Sequence, residues 1–255
     1  MRGRAILKRL RWGALISLFL GGALVFPAGA SAEVTIHGGK DDYRDRIRSL
    51  LEEHWSAEQL ENTHLAITVG SAGLVEYCGL EEQKPVLAVY LYESRFTDIS
   101  DQCQQPVAPI FVDAPLPYLG RLARALFPGS HTAMLVSGDP NGGTQAEKQT
   151  HTQLPIPGEG VAKGLGRLIE EGRWDVFLLP IDSSVYQATD YRLTLETLFR
   201  HRKPAIVSIR SLLSQGAVAA AYYTPTQIEE AVIRSITRLI ERGELVGGRP
   251  DSLRV

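Results

Sequence analysis

The sequence predicts an α/β fold built on parallel sheets, and three observations carry that expectation. Short apolar runs recur along the chain, each bounded by turn-formers or charge. Within them successive residues are apolar instead of alternating, as in strands buried on both faces. Amphipathic helical patterns lie between several of the runs, and strand alternating with helix sets the class.

The first residues, Arg2, Arg4, Lys8, Arg9 and Arg11, precede an uncharged run from Trp12 to Phe26 and then Ala30-Ser31-Ala32, an A-x-A cleavage pattern. This is the layout of a secretory signal peptide over residues 1–32, with a mature chain starting at Glu33 and a periplasmic location expected. Gly13, Gly21, Gly22 and Pro27 interrupt the run, which is short for a bilayer-spanning helix, so no stable membrane insertion is expected after cleavage. No cysteine stands near the cleavage point to accept a lipid. Removing five bases and no acids from a chain of net charge −2 leaves −7. A mildly acidic domain with no basic stripe repels phosphate backbones, which argues against a nucleic-acid partner.

Val34 to His37 reads as a short strand. From Asp41, placed as a cap, the apolar positions Tyr43, Ile47, Leu50, Leu51 and Trp55 form a helical face. The apolar runs Leu65–Val69, Val86–Tyr90, Ile110–Val112, Ala133–Val136, Val176–Leu179 and Ala205–Ile209 read as buried strands. Helical patterns run from Tyr118 to Phe127, stopped by Pro128-Gly129, from Val161 to Glu171, stopped by Gly172, and from Tyr186 to Arg202, stopped before Pro204. The clearest element is the last helix. Thr224 is its N-cap, Pro225 its first residue, Gln227 stands in the capping-box place and Gly243 is the stop. A stretch rich in Gly, Pro, Asn and Thr, from Gly138 to Gly160, is expected to separate two α/β halves.

Chemical motifs are missing where an enzyme would need them. No G-x-S-x-G elbow follows a strand. His37, His54, His64, His131, His151 and His201 are scattered without metal-ligand spacing, so no metal is expected. Gly138-Asp139-Pro140-Asn141-Gly142-Gly143 lacks the Lys-Ser/Thr ending of a P-loop and reads as a turn. Gly158-Glu159-Gly160 with Gly164 lacks dinucleotide-loop spacing, and no cofactor is expected. The two cysteines, Cys78 and Cys103, suit either a disulfide in an oxidising compartment or a pair of buried thiols.

Taken together, Leu65 to Ser71, Lys84 to Tyr90, Leu116 to Pro128 and Asp175 to Tyr186 stand in an order that resembles the ABC-transporter substrate-binding proteins of the type I periplasmic-binding-protein fold. The carboxy-terminal part fits best. Arg202 to Val207, then Gln215 to Ala220 and the capped helix, resemble that family's closing strand, crossing strand and final helix. The resemblance implies two lobes, each a mostly parallel sheet flanked by helices, with the first lobe shortened because little chain precedes Leu65. The lobes are expected over residues 33–113 and 114–220, with a crossing segment and C-terminal helix over 221–255. It also implies capture of a small, amino-acid-like or carboxylate-bearing ligand, and an ABC permease or a membrane receptor as partner. A sensing subunit and an exported α/β enzyme are the other readings.

In open parallel sheets, ligands meet the carboxyl ends of strands, where loops and helix N-termini gather. Ser71 follows one strand at the start of a helix, and Ser183 and Ser184 repeat the arrangement in the second lobe. Each suits either a ligand carboxylate or an ordinary N-cap. Tyr92, Asp113, Ser137, Asp182, Ser208 and Arg210 stand in the same layer, beside Glu93, Ser94 and Asp139. Asp182 suits an ammonium and Arg210 a carboxylate, unless the two form a structural pair. Tyr90, Tyr92, Tyr186 and Tyr222 suit aromatic walls or core edges.

Overall fold

The computed structural model describes residues 33–81, 84–137, 152–156 and 160–252. The expected export signal over residues 1–32, and Asp139, lie outside them. Two parallel sheets organise the chain. The first has β1 (Val34–His37), β2 (Leu65–Val69), β3 (Val86–Leu91) and β4 (Val107–Phe111), in that order. The second has β5 (Thr132–Ser137), β6 (Thr152–Ile156), β7 (Val176–Leu179), β8 (Ala205–Val207) and β9 (Ala219–Ala220), in the order β6-β5-β7-β8-β9. Every strand pair in both is parallel.

Eight α-helices among the described residues cover the sheets: α1 (Asp41–His54), α2 (Ala57–Glu61), α3 (Gly70–Cys78), α4 (Glu93–Ser100), α5 (Leu116–Leu126), α6 (Val161–Glu171), α7 (Ala188–Arg200) and α8 (Pro225–Arg242). Alternate residues of β2 explain the layering. Leu65, Ile67 and Val69 face Ile47 and Leu50 of α1 and Val232 and Ile236 of α8, whereas Ala66 faces Leu74 and Tyr77 of α3. In the second sheet α6, α7 and Trp174 cover one face, and Leu119 and Ala123 of α5 cover the other. Burial of apolar side chains on both faces is what the continuous apolar strands require.

The C-terminal helix therefore packs on the first sheet, although it follows the second in sequence. Its capping box forms as the sequence implies: Thr224 Oγ1 accepts from Gln227 N–H at 3.3 Å and Gln227 Oε1 accepts from Thr224 N–H at 2.8 Å. The chain crosses between the sheets at Phe111–Leu116 and again at Ala220–Pro225. The two crossings lie side by side through an antiparallel bridge between Asp113 and Tyr222.

Four sequence expectations are corrected. Lys40, not Asp41, is the N-cap of α1, and Asp41 is its first helical residue, paired with Arg44. The strand expected at Ile110–Val112 starts earlier, at Val107, and includes Pro109. That proline fits because its nitrogen faces the C-terminal segment at Gly247 and so withholds no hydrogen bond from β3. The Gly138–Gly160 stretch does not separate two halves, because β6 lies within it and pairs with β5 inside the second sheet. The strand expected to reach Ile209 ends at Val207, and Arg210–Gln215 is a 3-10 helix.

Cys78, ending α3, is joined to Cys103, just past α4, with 4.7 Å between their Cα atoms. The bridge holds these two helices together on one face of the first sheet. Since it closes a separation of 25 residues, its loss is expected to lower the unfolding free energy by about 3 kcal/mol. Urea unfolding of a Cys78→Ser/Cys103→Ser variant, followed by circular dichroism, checks this. No helix among the described residues is long and apolar enough to cross a membrane.

Candidate functional site

A cavity of about 630 Å³ opens at the carboxyl ends of the strands and draws its walls from both sheets and from the second crossing. The first sheet contributes three successive strand-to-helix loops. Gly39 and Lys40 come from β1–α1, Gly70, Ser71 and Ala72 from β2–α3, and Tyr90 and Tyr92 from the end of β3. From the second sheet come Ile209, Arg210 and Ser211, where β8 gives way to the 3-10 helix. The first turn of α3 thus faces the space, and its backbone N–H groups favour an anion there, whereas the first turn of α1 carries Asp41 and Asp42.

Glycine shapes two of these loops. Gly38 has φ +67°, and a Cβ on it would stand 2.1 Å from Gly73 Cα, so the β1–α1 loop rests directly on the backbone of α3. Gly70 has φ +72° but open space around it, so its need is conformational alone. The close approach brings Gly39 and Ser71 onto one wall.

Five tyrosines, Tyr43, Tyr90, Tyr92, Tyr222 and Tyr223, line the cavity. Tyr90 reaches it through a strand irregularity. The β3–β4 register shifts between Ala88 and Leu91, and Tyr90 sits at φ +55°, a left-handed conformation strained for a bulky residue. The shift puts Tyr90 on the same side as Val89, against the layer of α1 and α8, where its ring lies 4.8 Å from that of Tyr43. Strain of this kind persists only where the surroundings fix it, and it falls here on a cavity wall. Burial pushes the Tyr90 and Tyr223 phenols up to about 12, and burial together with the Asp113 carboxylate raises that of Tyr92. All three remain hydrogen-bond donors across the physiological range.

Of the residues singled out from sequence, Ser71, Tyr90, Tyr92, Arg210 and Tyr222 line this cavity. Asp113 lies in the first crossing, 5% exposed, and accepts Glu93 N–H at 3.1 Å. Ser208 is fully buried, and its Oγ accepts Ile181 N–H at 2.9 Å, tying two loops of the second sheet together. Asp182 accepts both the N–H and the Oγ–H of Ser184, at 2.9 and 2.6 Å, so these two residues form a local turn. Asp182 and Arg210 make no ion pair. Ser183 meets the first lobe instead, where its N–H donates to Ser94 Oγ at 3.3 Å. Ser137 is exposed at the end of β5 and does not line the cavity. Tyr186 is buried in the second core beside Tyr191.

Lys40, Tyr43 and Tyr223 were not legible as wall residues. Tyr43 begins the apolar stripe of α1 and so reads as core, yet it is 47% exposed toward the cavity mouth. The paired signal was the glycines: Gly38-Gly39 after β1 matches Gly70 after β2, and both precede a helix.

Asp113 gives the site a pH dependence. Burial raises its carboxyl from 3.8 to about 6, partly offset by the Glu93 N–H and by Arg249. The folded state therefore holds more protons than the unfolded chain between those values. Stability falls as pH rises from about 4 to about 6 and is level above. An Asp113→Asn variant keeps an acceptor for Glu93. It is expected to exceed the parent by about 2 kcal/mol at pH 8, with the advantage gone at pH 4, in urea titrations at the two pH values.

No protein-family model matches the sequence, and no curated protein matches it. Solved structures do. A substrate binding protein with adhesive properties from Clostridium difficile, in its ligand-free, open form, superposes with a TM-score of 0.58 at 13% identity, over 87% of this chain and 89% of that one. A conserved domain protein from Vibrio cholerae gives 0.55 at 12% identity, over 88% and 92%. An ABC domain from Streptococcus pneumoniae in complex with L-Trp gives 0.53 at 14%, over 86% and 88%. The fold is that of the two-lobed periplasmic binding proteins. In this two-lobed fold the cavity lies between the sheets, beside the paired crossings.

Proposed function

We propose that the protein is a periplasmic solute-binding protein, which holds a small amino-acid-like or carboxylate-bearing molecule between its lobes and delivers it to an ABC-type uptake system. The observation that carries this reading is the cavity walled by strand ends of both sheets, with the N-terminal turn of α3 and the loop that leads into α1 on its wall. A ligand bonded to both walls favours the closed arrangement because only there does it make both sets of contacts. The reading is supported by the fold shared with binding proteins and by the sequence pattern of an export signal.

Calorimetry and thermal unfolding with a panel of amino acids and small organic acids test it. A ligand at about a hundred times its Kd is expected to stabilise the protein by about 2.7 kcal/mol. Ala72, exposed on the cavity wall, is the place to block entry. An Ala72→Trp variant is expected to unfold like the parent and to lose the ligand-dependent shift. A protein purified free of ligand and unmoved by every member of the panel overturns the reading.

A further inference from the structure

We infer that the cleft selects an organic anion with a flat apolar body and discriminates against the corresponding zwitterionic amino acid, an inference that rests on the solute-binding reading above. Two cations line the cavity, Lys40 from the first lobe and Arg210 from the second, and no acidic side chain does so among the described residues. Neither cation has an ion pair or side-chain hydrogen bond among those residues.

Asp41 and Asp42, between the wall residues Lys40 and Tyr43, do not line the cavity, and Asp41 is paired with Arg44; four further acids near it are engaged elsewhere. Glu229, next to the wall residue Ile228, is held by both Nε and Nη2 of Arg46 at 2.7 Å. Glu93, which follows Tyr92, accepts Arg249 Nη2 at 2.6 Å. Asp113 accepts Glu93 N–H, and Asp182 is closed on Ser184. A ligand ammonium entering this space would lose water, face two positive side chains and the positive end of α3, and find no carboxylate on the cavity wall to receive it. A ligand carboxylate meets the reverse: a cation from each lobe and exposed backbone N–H groups. Lys40 and Arg210 belong to different lobes, so one anion touching both ties closure to charge.

The rest of the wall sets the body of the ligand. The five tyrosine rings, with Val69, Val112 and Ile209, offer flat and apolar contact, and the phenols add neutral donors. An aromatic cage also suits a quaternary ammonium, but the two unpaired cations oppose it.

The test uses the mature chain, stripped of ligand by unfolding and refolding, and four probes of one shape: 3-phenylpropanoate, L-phenylalanine, 3-phenylpropanamide and benzyltrimethylammonium. Calorimetry is expected to show 3-phenylpropanoate binding at least tenfold more tightly than phenylalanine, with the amide and the quaternary ammonium weaker still. Lys40→Gln and Arg210→Gln, both at exposed positions, are each expected to weaken the acid at least tenfold with unchanged thermal unfolding of the free protein. Phenylalanine binding as tightly as the acid, or binding of the quaternary ammonium, overturns the charge rule and leaves solute capture standing. Silence from all four probes also overturns the inference, while solute capture itself is then decided by the wider panel.

Discussion

Replacing Gly38 with alanine is expected to destabilise the protein by about 4 kcal/mol and to abolish ligand capture. Two penalties add at this position. The backbone is left-handed, φ +67°, which costs an L-residue with a Cβ about 1–2 kcal/mol. The new Cβ would also stand 2.1 Å from Gly73 Cα and 2.8 Å from Gly73 N. Those are backbone atoms of α3, so no side chain can swing aside, and overpacking adds about 1–3 kcal/mol. Relief comes only by moving the β1–α1 loop off α3. Gly39, Lys40 and Ser71 lie on those two elements, so the same movement opens the cavity wall. Gly129→Ala is the control, since its φ is +78° but nothing lies within 4 Å of a Cβ there. It is expected to cost about 1 kcal/mol and to leave capture intact. Urea unfolding and calorimetry on both variants read the two effects separately.

This coupling explains what was legible in the sequence and what was not. Helices α6 and α8 were readable to the residue because their boundaries are local. Gly172 and Gly243 terminate them in the left-handed conformation, at φ +66° and +70°, and Thr224-Pro225 starts the second. The strands β2, β7 and β8 were readable because every residue in them is buried. The strand β6 was not readable, since its pairing with β5 is non-local and its neighbourhood is rich in turn-formers.

The cavity was half legible for a related reason. Being at the carboxyl end of a strand places a residue in the right layer, and Ser71, Tyr92 and Arg210 were found that way. It does not say where a side chain points. Ser208 stands in the same layer, yet it is buried and spent on Ile181 N–H, and Asp182 is spent on Ser184. Tyr90 was named as an aromatic wall or a core edge, and what decides between them is a register shift against β4, which two strands create together and neither encodes alone.

Trp174→Ala is expected to cost a similar amount, about 4 kcal/mol, with the opposite consequence for function. Trp174 is 1% exposed in the core of the second lobe, where its Nε1–H donates to Leu168 O at 2.6 Å and its ring lies 5.8 Å from that of Phe177. Lys203 donates to its carbonyl and places its Nζ 4.6 Å from the ring centre. Removing the indole leaves a void, takes one of two donors from the Leu168 carbonyl, which keeps Gly172 N–H, and leaves a lysine without its ring. None of these residues lines the cavity between the sheets. Ligand affinity measured well below the unfolding temperature is therefore expected to match the parent, although the urea midpoint drops. A large loss of affinity in Trp174→Ala would mean that the second core positions Arg210 more directly than the packing implies. Equal affinity, set against the loss in Gly38→Ala at comparable stability cost, would locate capture in the loops where the two sheets meet and not in the stability of the scaffold as a whole.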